Sequence, residues 1–359
     1  MYLKKLNIVN FKNFEAWEGE FSPSINSFTG ENGVGKTNIL DAIYYLCFTK
    51  SYFASTDTQN IRHDEGFMML SGTFEGEDSS RTDVLMSLNR GSRKIVKKNG
   101  KVLERMSDYI GTFPLVIVSP ADRDLIAEGS SLRRKFVDGV ISQTSAEYLE
   151  AILSHARVVE MRNTLLKTPG LSPIQLDIYD SQMLNYGRKI YNGRKAFLER
   201  FVPIFQDIYH QISGGGETAD ITYNSIFSSP DVEGEMRAAR TKDLYLGFSS
   251  AGVHKDDLSF TLGGYPIKRY GSQGQQKTFL TALKLSQFHF MKDISGGAKP
   301  ILLLDDIFDK LDSNRVQYII DLVEKNTFGQ VFITDTQAER IEQVTSASSL
   351  DHRRFHIKR

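Results

Sequence analysis

Three things are scarce in this chain, and each scarcity excludes a class of protein. There is one cysteine in 359 residues, Cys47. A lone thiol forms no intrachain disulfide, so a disulfide-stapled scaffold is excluded, and its place in an apolar helical pattern predicts a core position. Excess charge of either sign is missing: 44 Lys+Arg stand against 44 Asp+Glu, a formal net charge of +0. That excludes a generally basic nucleic-acid binder, and any contact with a polyanion must rest on local patches. Long apolar runs are missing too, since none approaches the roughly 20 residues of a membrane span. Met1-Tyr2-Leu3-Lys4-Lys5 leads straight into a strand pattern with no leader peptide, and a soluble, cytoplasmic protein is expected. Hydrophobic content of 40% and charged content of 25% are those of a globular chain long enough for two domains.

What is present begins with Gly30-Glu31-Asn32-Gly33-Val34-Gly35-Lys36-Thr37-Asn38. This is G-x-x-x-x-G-K-[ST], the phosphate-binding loop of a nucleoside-triphosphate site. Glycines let successive backbone N–H groups turn inward around phosphate oxygens. Lys36 is placed to reach the β- and γ-phosphates, and the Thr37 hydroxyl to hold Mg²⁺. An apolar approach (Ile25 to Phe28) enters the loop, and a helical pattern through Ile39, Leu40, Ile43, Tyr44 and Leu46 leaves it. The competing reading, a glycine-rich turn with an incidental lysine, does not account for that context.

Strands are expected over Leu3 to Val9, Trp17 to Phe21, Met68 to Phe74, Val84 to Leu88 and Leu115 to Val118. A hairpin of Asp83 to Asn89 against Lys94 to Val102 carries Arg93, Lys94, Lys97 and Lys98 among its basic residues. Two readings stay open for it: a contact to a phosphate backbone, or an edge hairpin using lysines against edge-to-edge pairing. Between residues 120 and 216 the periodicity turns helical, over Ser130 to Ser142, Ala146 to Leu166, Ser172 to Tyr191 and Ala196 to Ile212. An inserted antiparallel helical arm is expected there, with the tight Arg133-Arg134-Lys135 cluster as a second candidate basic contact. Residues 1–119 and 217–359 would form one discontinuous head. Within the latter, Leu244-Tyr245-Leu246-Gly247-Phe248 reads as strand-like, and Leu258 to Leu262 alternates before a Gly263-Gly264 turn.

Three later features complete the first. Ile301-Leu302-Leu303-Leu304-Asp305-Asp306 is a buried-strand run ending in two carboxylates, a Walker B element. Asp305 is assigned to Mg²⁺, at the end of a strand beside the loop's own strand, and Asp306 to polarising the attacking water. Ser272-Gln273-Gly274-Gln275-Gln276 opens a helix, where free N–H groups and the helix dipole favour an anion. Ser272 there could equally be an ordinary N-cap. Leu311-Asp312-Ser313 starts a further helix, and Asp312 reads as an N-cap or as a site residue. The last strand expected, Val331 to Thr334, ends near Asp335, where a γ-phosphate sensor would lie.

The order of phosphate loop, long insertion, S-x-G-Q, Walker B and L-D turn resembles the ABC-type ATPase heads of the SMC and recombination-repair class. Within that class the chain is similar to the RecF family along its length. The residues that carry the resemblance are Gly30 to Leu40, Leu132-Arg133-Arg134-Lys135-Phe136-Val137-Asp138, Gly252-Val253-His254-Lys255-Asp256-Asp257-Leu258, Ser272 to Gln276 and Leu304-Asp305-Asp306. The resemblance implies an α/β P-loop head with a helical arm and no long coiled coil. It also implies ATP with Mg²⁺ bound between two subunits: Ser272, Gly274 and Gln275 of one would face the loop of the other, and Asp312 would lie across the interface. The implied role is an ATP-driven homodimer that clamps DNA at single-strand/duplex junctions and helps load the RecA recombinase with RecO and RecR. Asp306 stands where many ABC proteins have glutamate, which predicts slow hydrolysis suited to a switch. The usual switch histidine and Q-loop glutamine are absent. An ABC-transporter ATP subunit is the runner-up, disfavoured by SQGQQ in place of an LSGGQ-like signature. A defence-type ATPase–nuclease would need a further acidic domain.

Overall fold

The computed structural model describes residues 1–76, 78–168, 173–294, 299–306, 328–337, 339–342 and 350–358. It divides into two compact units, Met1–Asp122 with Leu280–Arg359, and Arg123–Phe279.

The first unit opens with β1 (Tyr2–Phe11), β2 (Phe14–Glu20) and β3 (Ile25–Thr29), then α1 (Lys36–Phe48). There follow β4 (Phe67–Glu75), β5 (Arg81–Asn89), β6 (Ile95–Lys98), β7 (Lys101–Val102) and β8 (Leu115–Val118). Six of these strands form an antiparallel sheet in the order β2-β1-β4-β5-β6-β7. Its strands alternate, with Leu3, Leu6 and Ile8 turned inward from β1 and Met68, Leu70 and Phe74 from β4. Helix α1 touches β1, β4 and β5 of this sheet and also β8 of a second one, and it is accordingly buried on nearly every face. Cys47 lies in that core at 1% exposure, as its pattern predicted.

The second unit holds α2 (Asp124–Ala127), α3 (Ser130–Ser142), α4 (Ala146–Leu165) and the 41-residue α5 (Pro173–Ser213). A three-stranded sheet follows, made of β9 (Ala219–Asn224), β10 (Asp257–Leu262) and β11 (Tyr265–Pro266) in the order β11-β10-β9. Between its strands lie α6 (Val232–Ala238) and α7 (Arg240–Leu246), and after it α8 (Ile267–Tyr270). The division therefore falls far beyond the expected return at 217, because β9 and β10 pair with each other and pack on α5 and α3. Two buried arginines pin the unit. Arg162 donates to Asp180 (2.6 Å), Asp243 (2.7 Å) and Ser249 (2.9 Å), and Arg194 to Asp138, Asp256 and the Val253 carbonyl, all at 2.9 Å.

Two local expectations are corrected here. The break expected between Tyr191 and Ala196 is absent, and α5 runs through it. Gly193 is there for closeness, since a Cβ on it would stand 2.6 Å from the Tyr148 ring. Leu244 to Phe248 is not a strand: α7 ends at Leu246, with Gly247 at φ 70° closing it. Leu244, Tyr245, Leu246 and Phe248 are all exposed, so no buried strand face existed to stabilise pairing, while Asp243 is drawn inward by Arg162.

Helix α9 (Gln273–Ile294) spans the division between the units. Beyond it come β12 (Ile301–Asp305), β13 (Val331–Asp335) and β14 (His352–His356). These join β3 and β8 in an all-parallel sheet of order β14-β3-β13-β12-β8. The two central strands, β12 and β13, are buried throughout, as a parallel sheet requires. Val331 to Thr334 is thus not the last strand, since β14 follows and pairs with β3. Nor does the Walker B strand lie beside β3, because β13 comes between them. Among the described residues, no helix is long and apolar enough to cross a membrane.

Candidate nucleotide site

The carboxyl ends of parallel strands converge in open α/β sheets, and ligands bind in the crevice beyond them. Here β3 delivers the phosphate loop, β12 delivers Asp305, and β13 delivers Thr334 and Asp335. The loop's glycines adopt the left-handed region at Gly33 (φ 82°) and Gly35 (φ 110°), with Gly30 at φ 146°. A Cβ on Gly30 would stand 2.4 Å from the Ile357 carbonyl, and one on Gly35 2.5 Å from the Asn13 side chain. A Cβ on Gly33 would meet nothing within 4 Å, so the loop is walled at its two ends and open at its crest. Glu31, Asn32 and Gly33 are exposed, Val34 and Lys36 are buried, and Thr37 and Asn38 are half-buried.

Lys36 curls back to donate to the carbonyls of Gly30 (2.7 Å) and Glu31 (2.9 Å). Burial lowers its pKa, opposed by the charges of Asp306, Asp335 and Asp305. The hydroxyls of Thr37 (2.8 Å) and Thr334 (2.9 Å) both donate to Asp305 Oδ1, while Ser119 Oγ lies 3.4 Å from Oδ2. Burial raises the Asp305 pKa despite those three donors, which favour its charged form. Asp335 is fully buried with Oδ1 accepting from Gln337 N–H (2.8 Å), while its Oδ2 has no hydrogen-bond partner. A raised carboxyl beside a loop hydroxyl, with a further buried carboxylate oxygen unpartnered, fits a divalent cation held by Thr37 and Asp305. Asp306 sits one residue past β12 at φ 48°, its N–H donating to Thr334 Oγ1 at 3.0 Å. That turn carries its side chain off the strand direction.

Three contributors had no signal in the sequence. Asn13, from the β1–β2 turn, donates to the Val34 carbonyl (2.8 Å) and accepts from Asn38 (2.7 Å), bracing the loop from outside. Ser119 follows β8, at the place of the absent Q-loop glutamine. Asp122 accepts from Ser119 N–H (2.7 Å) and forms a buried ion pair with Lys284 of α9 at 2.8 Å. Thr334, expected as the end of a strand, has a hydroxyl that links Asp305 to Asp306.

Ser272, Gly274 and Gln275 belong to the second unit, at the start of α9. Ser272 is exposed, and its Oγ accepts from Gln275 N–H (3.2 Å) while the Gln275 side chain accepts from Ser272 N–H (2.7 Å). This reciprocal pair is a capping box, the geometry of the N-cap reading. Asp312 lies outside the described residues.

The basic candidates divide. Lys94 turns inward to Asp57 (2.7 Å), with its ammonium 5.0 Å from the centre of the Tyr45 ring. Arg133 is bidentate to Asp257 (2.8 and 3.1 Å), and Arg134 donates to Ser130 and to the Asp256 carbonyl. These three are therefore removed from the polyanion contacts as structural groups, whereas Arg93 and Lys97 are exposed and Lys98 is half-exposed.

Comparison with known proteins is consistent with this geometry. The model of the RecF/RecN/SMC N-terminal domain matches residues 2–358. A DNA replication and repair protein RecF of Flavobacterium johnsoniae is 46% identical over 99% of this chain and 100% of its own length. One of Bacteroides fragilis is 44% identical over 100% of this chain and 97% of its own. A solved structure of the recombination mediator protein RecF with ATPrS, in the RecFOR pathway, has a TM-score of 0.88 at 30% identity, covering 99% of this chain and 96% of that one. An Smc head bound to the C-terminal winged-helix domain of ScpA, at 16% identity and a TM-score of 0.56, shares the fold. On this similarity, end to end, the chain belongs to the RecF family, within the wider group of RecF/RecN/SMC heads.

Proposed function

We propose that this protein is an ATP-dependent DNA-binding switch of replication and gap repair, and that ATP joins two copies of it around DNA. The observation that carries the reading is the convergence of Lys36, Thr37, Asp305, Asp306 and Thr334 at the ends of adjacent parallel strands. Its complement is an exposed Ser272 at the start of α9. ATP would lie along the loop, with backbone N–H groups and Lys36 on its phosphates. Thr37 and Asp305 would hold Mg²⁺, which when bound neutralises phosphate charge. The Ser272 hydroxyl and the amides of Gly274 and Gln275 would meet the γ-phosphate held by the partner copy, and Asp312 would lie across that interface. Asp306 polarises the attacking water. Its short side chain suits slow, DNA-dependent turnover that resets the clamp. Arg93, Lys97 and Lys98 are the remaining candidates for phosphate-backbone contact.

Similarity to RecF structures solved with ATP and ATPrS in the RecFOR pathway supports ATP and that setting for this chain; RecO and RecR as partners, and RecA loading as the outcome, complete the proposal. The test is DNA affinity measured against salt with and without ATP, alongside sedimentation. An ATP-dependent dimer whose DNA affinity falls steeply with salt is expected, and a protein that stays monomeric with ATP would overturn the clamp. Asp306→Asn should retain ATP binding and dimerisation while blocking turnover.

A further inference from the structure

The signature serine depends on a residue that no motif contains. Glu217 lies between the Gly214-Gly215-Gly216 turn and β9, and it is half-buried. One of its carboxylate oxygens accepts from Gln275 Nε2 (2.5 Å), the other from the hydroxyl of buried Tyr209 (2.9 Å). The amide of Gln275 has two chemically opposite ends, and nothing in its shape decides which faces which neighbour. An ionised carboxylate only accepts, so it selects the NH₂ end. The oxygen end is thereby committed to Ser272 N–H, where it is found at 2.7 Å. Ser272 Oγ in turn accepts from Gln275 N–H at 3.2 Å. With a lone pair taken, its own hydrogen is left to donate outward from an exposed position.

We propose that Glu217 is a positioning residue for the signature: it fixes the orientation of the Gln275 amide and so delivers Ser272 as a preset hydrogen-bond donor to a phosphate oxygen. The identification of that phosphate with ATP held by a second copy rests on the function proposed above. Glu217 itself touches no phosphate. Tyr209 fixes the carboxylate plane, and the glycine turn that precedes Glu217 is anchored by this contact.

Three variants test this in the full-length protein: Glu217→Ala, Glu217→Gln and Ser272→Ala. Amide hydrogen exchange of the nucleotide-free protein comes first. In Glu217→Ala, exchange at Ser272 and Gln275 should rise about tenfold, the loss of one charge-assisted hydrogen bond behind the cap, while α5 and β9 keep their protection. Unchanged exchange at those two amides, or a general loss of protection, would overturn the positioning role. Second, ATP-induced dimerisation should weaken roughly tenfold in Glu217→Ala, with fluorescent ATP-analogue binding to the isolated subunit within about twofold of normal. Glu217→Gln keeps one accepting oxygen, so it should recover part of the loss. Glu217→Ala added to Ser272→Ala should cost no more than Ser272→Ala alone. Full dimerisation by Glu217→Ala, or additivity with Ser272→Ala, would overturn the functional half. Were the unsubstituted protein itself to stay monomeric with ATP, the clamp and the phosphate role would both fall. The exchange result would still decide whether Glu217 sets the amide.

Discussion

Buried charge is held in two ways, by the arginine clusters of the second unit and by the phosphate loop of the first. In the second unit, Arg194 makes four hydrogen bonds, two of them to the carboxylate of Asp138, and Arg162 meets two carboxylates and a hydroxyl. In the first, the hydrogen-bond partners of Lys36 among the described residues are the carbonyls of its own loop, and the fully buried Asp335 keeps an oxygen without a hydrogen-bond partner among them. The arginines' donors meet carboxylates, carbonyls and a hydroxyl and tie elements of the fold together, whereas Lys36 and Asp335 stand at the strand ends where a phosphate or a cation would complete their partners. The contrast separates residues that set the fold from residues that act, even though both sets are buried and ionisable.

Substitutions should break the two regions in opposite ways. Arg162→Ala leaves Asp180 and Asp243 buried with their principal cation gone and should lower unfolding free energy by about 3–5 kcal/mol, read by urea denaturation. Lys36→Ala should weaken ATP binding by about 100-fold or more, in titration with a fluorescent analogue, yet shift apo stability by less than ~1 kcal/mol. Asp305 sharpens the point. Its folded pKa is raised, so its neutral form is favoured by the fold, and stability is lost as pH rises through that folded value. Asp305→Asn should therefore raise the apo melting temperature by about 2 °C while abolishing Mg²⁺-dependent ATP binding. The second unit has its own titration: burial lowers His155 to about 3 and His254 to about 4. Depressed histidines contribute stability that is present above pH 6.5 and lost as pH falls below it. Melting temperature should drop between pH 7 and pH 4, and His155→Phe should flatten part of that slope. The smallest effect expected is on the surface. Lys97→Ala with Lys98→Ala should lower DNA affinity a few-fold and reduce the salt slope by about 2.

Much of the nucleotide site was legible because its chemistry constrains local sequence. A loop that cradles phosphate needs glycines at fixed intervals, and a buried parallel strand ending in carboxylates reads as an apolar run before Asp305-Asp306. The helix boundaries Ser130–Ser142 and the strand Leu115–Val118 were equally plain from periodicity. What failed was set by distant neighbours. Asn13 braces the loop across a stretch of sequence with no fixed spacing. The gap expected between Tyr191 and Ala196 is bridged by α5, whose Gly193 lies against the Tyr148 ring of α4. Lys94, Arg133 and Arg134 look like a polyanion surface until Asp57, Asp257 and the Asp256 carbonyl are found opposite them. Pairing of β9 with β10, which carries the second unit past residue 217, depends on strands separated by two helices.

One feature of the parallel sheet bears on how the protein is made. Strand β3 and the phosphate loop are synthesised well before β13 and β14, the neighbours of β3 on both sides. The Ile357 carbonyl that walls Gly30 comes later still. Throughout translation, then, the nascent chain carries a phosphate motif without the floor that shapes it. The loop therefore takes its walled form only once β13, β14 and Ile357 have joined β3.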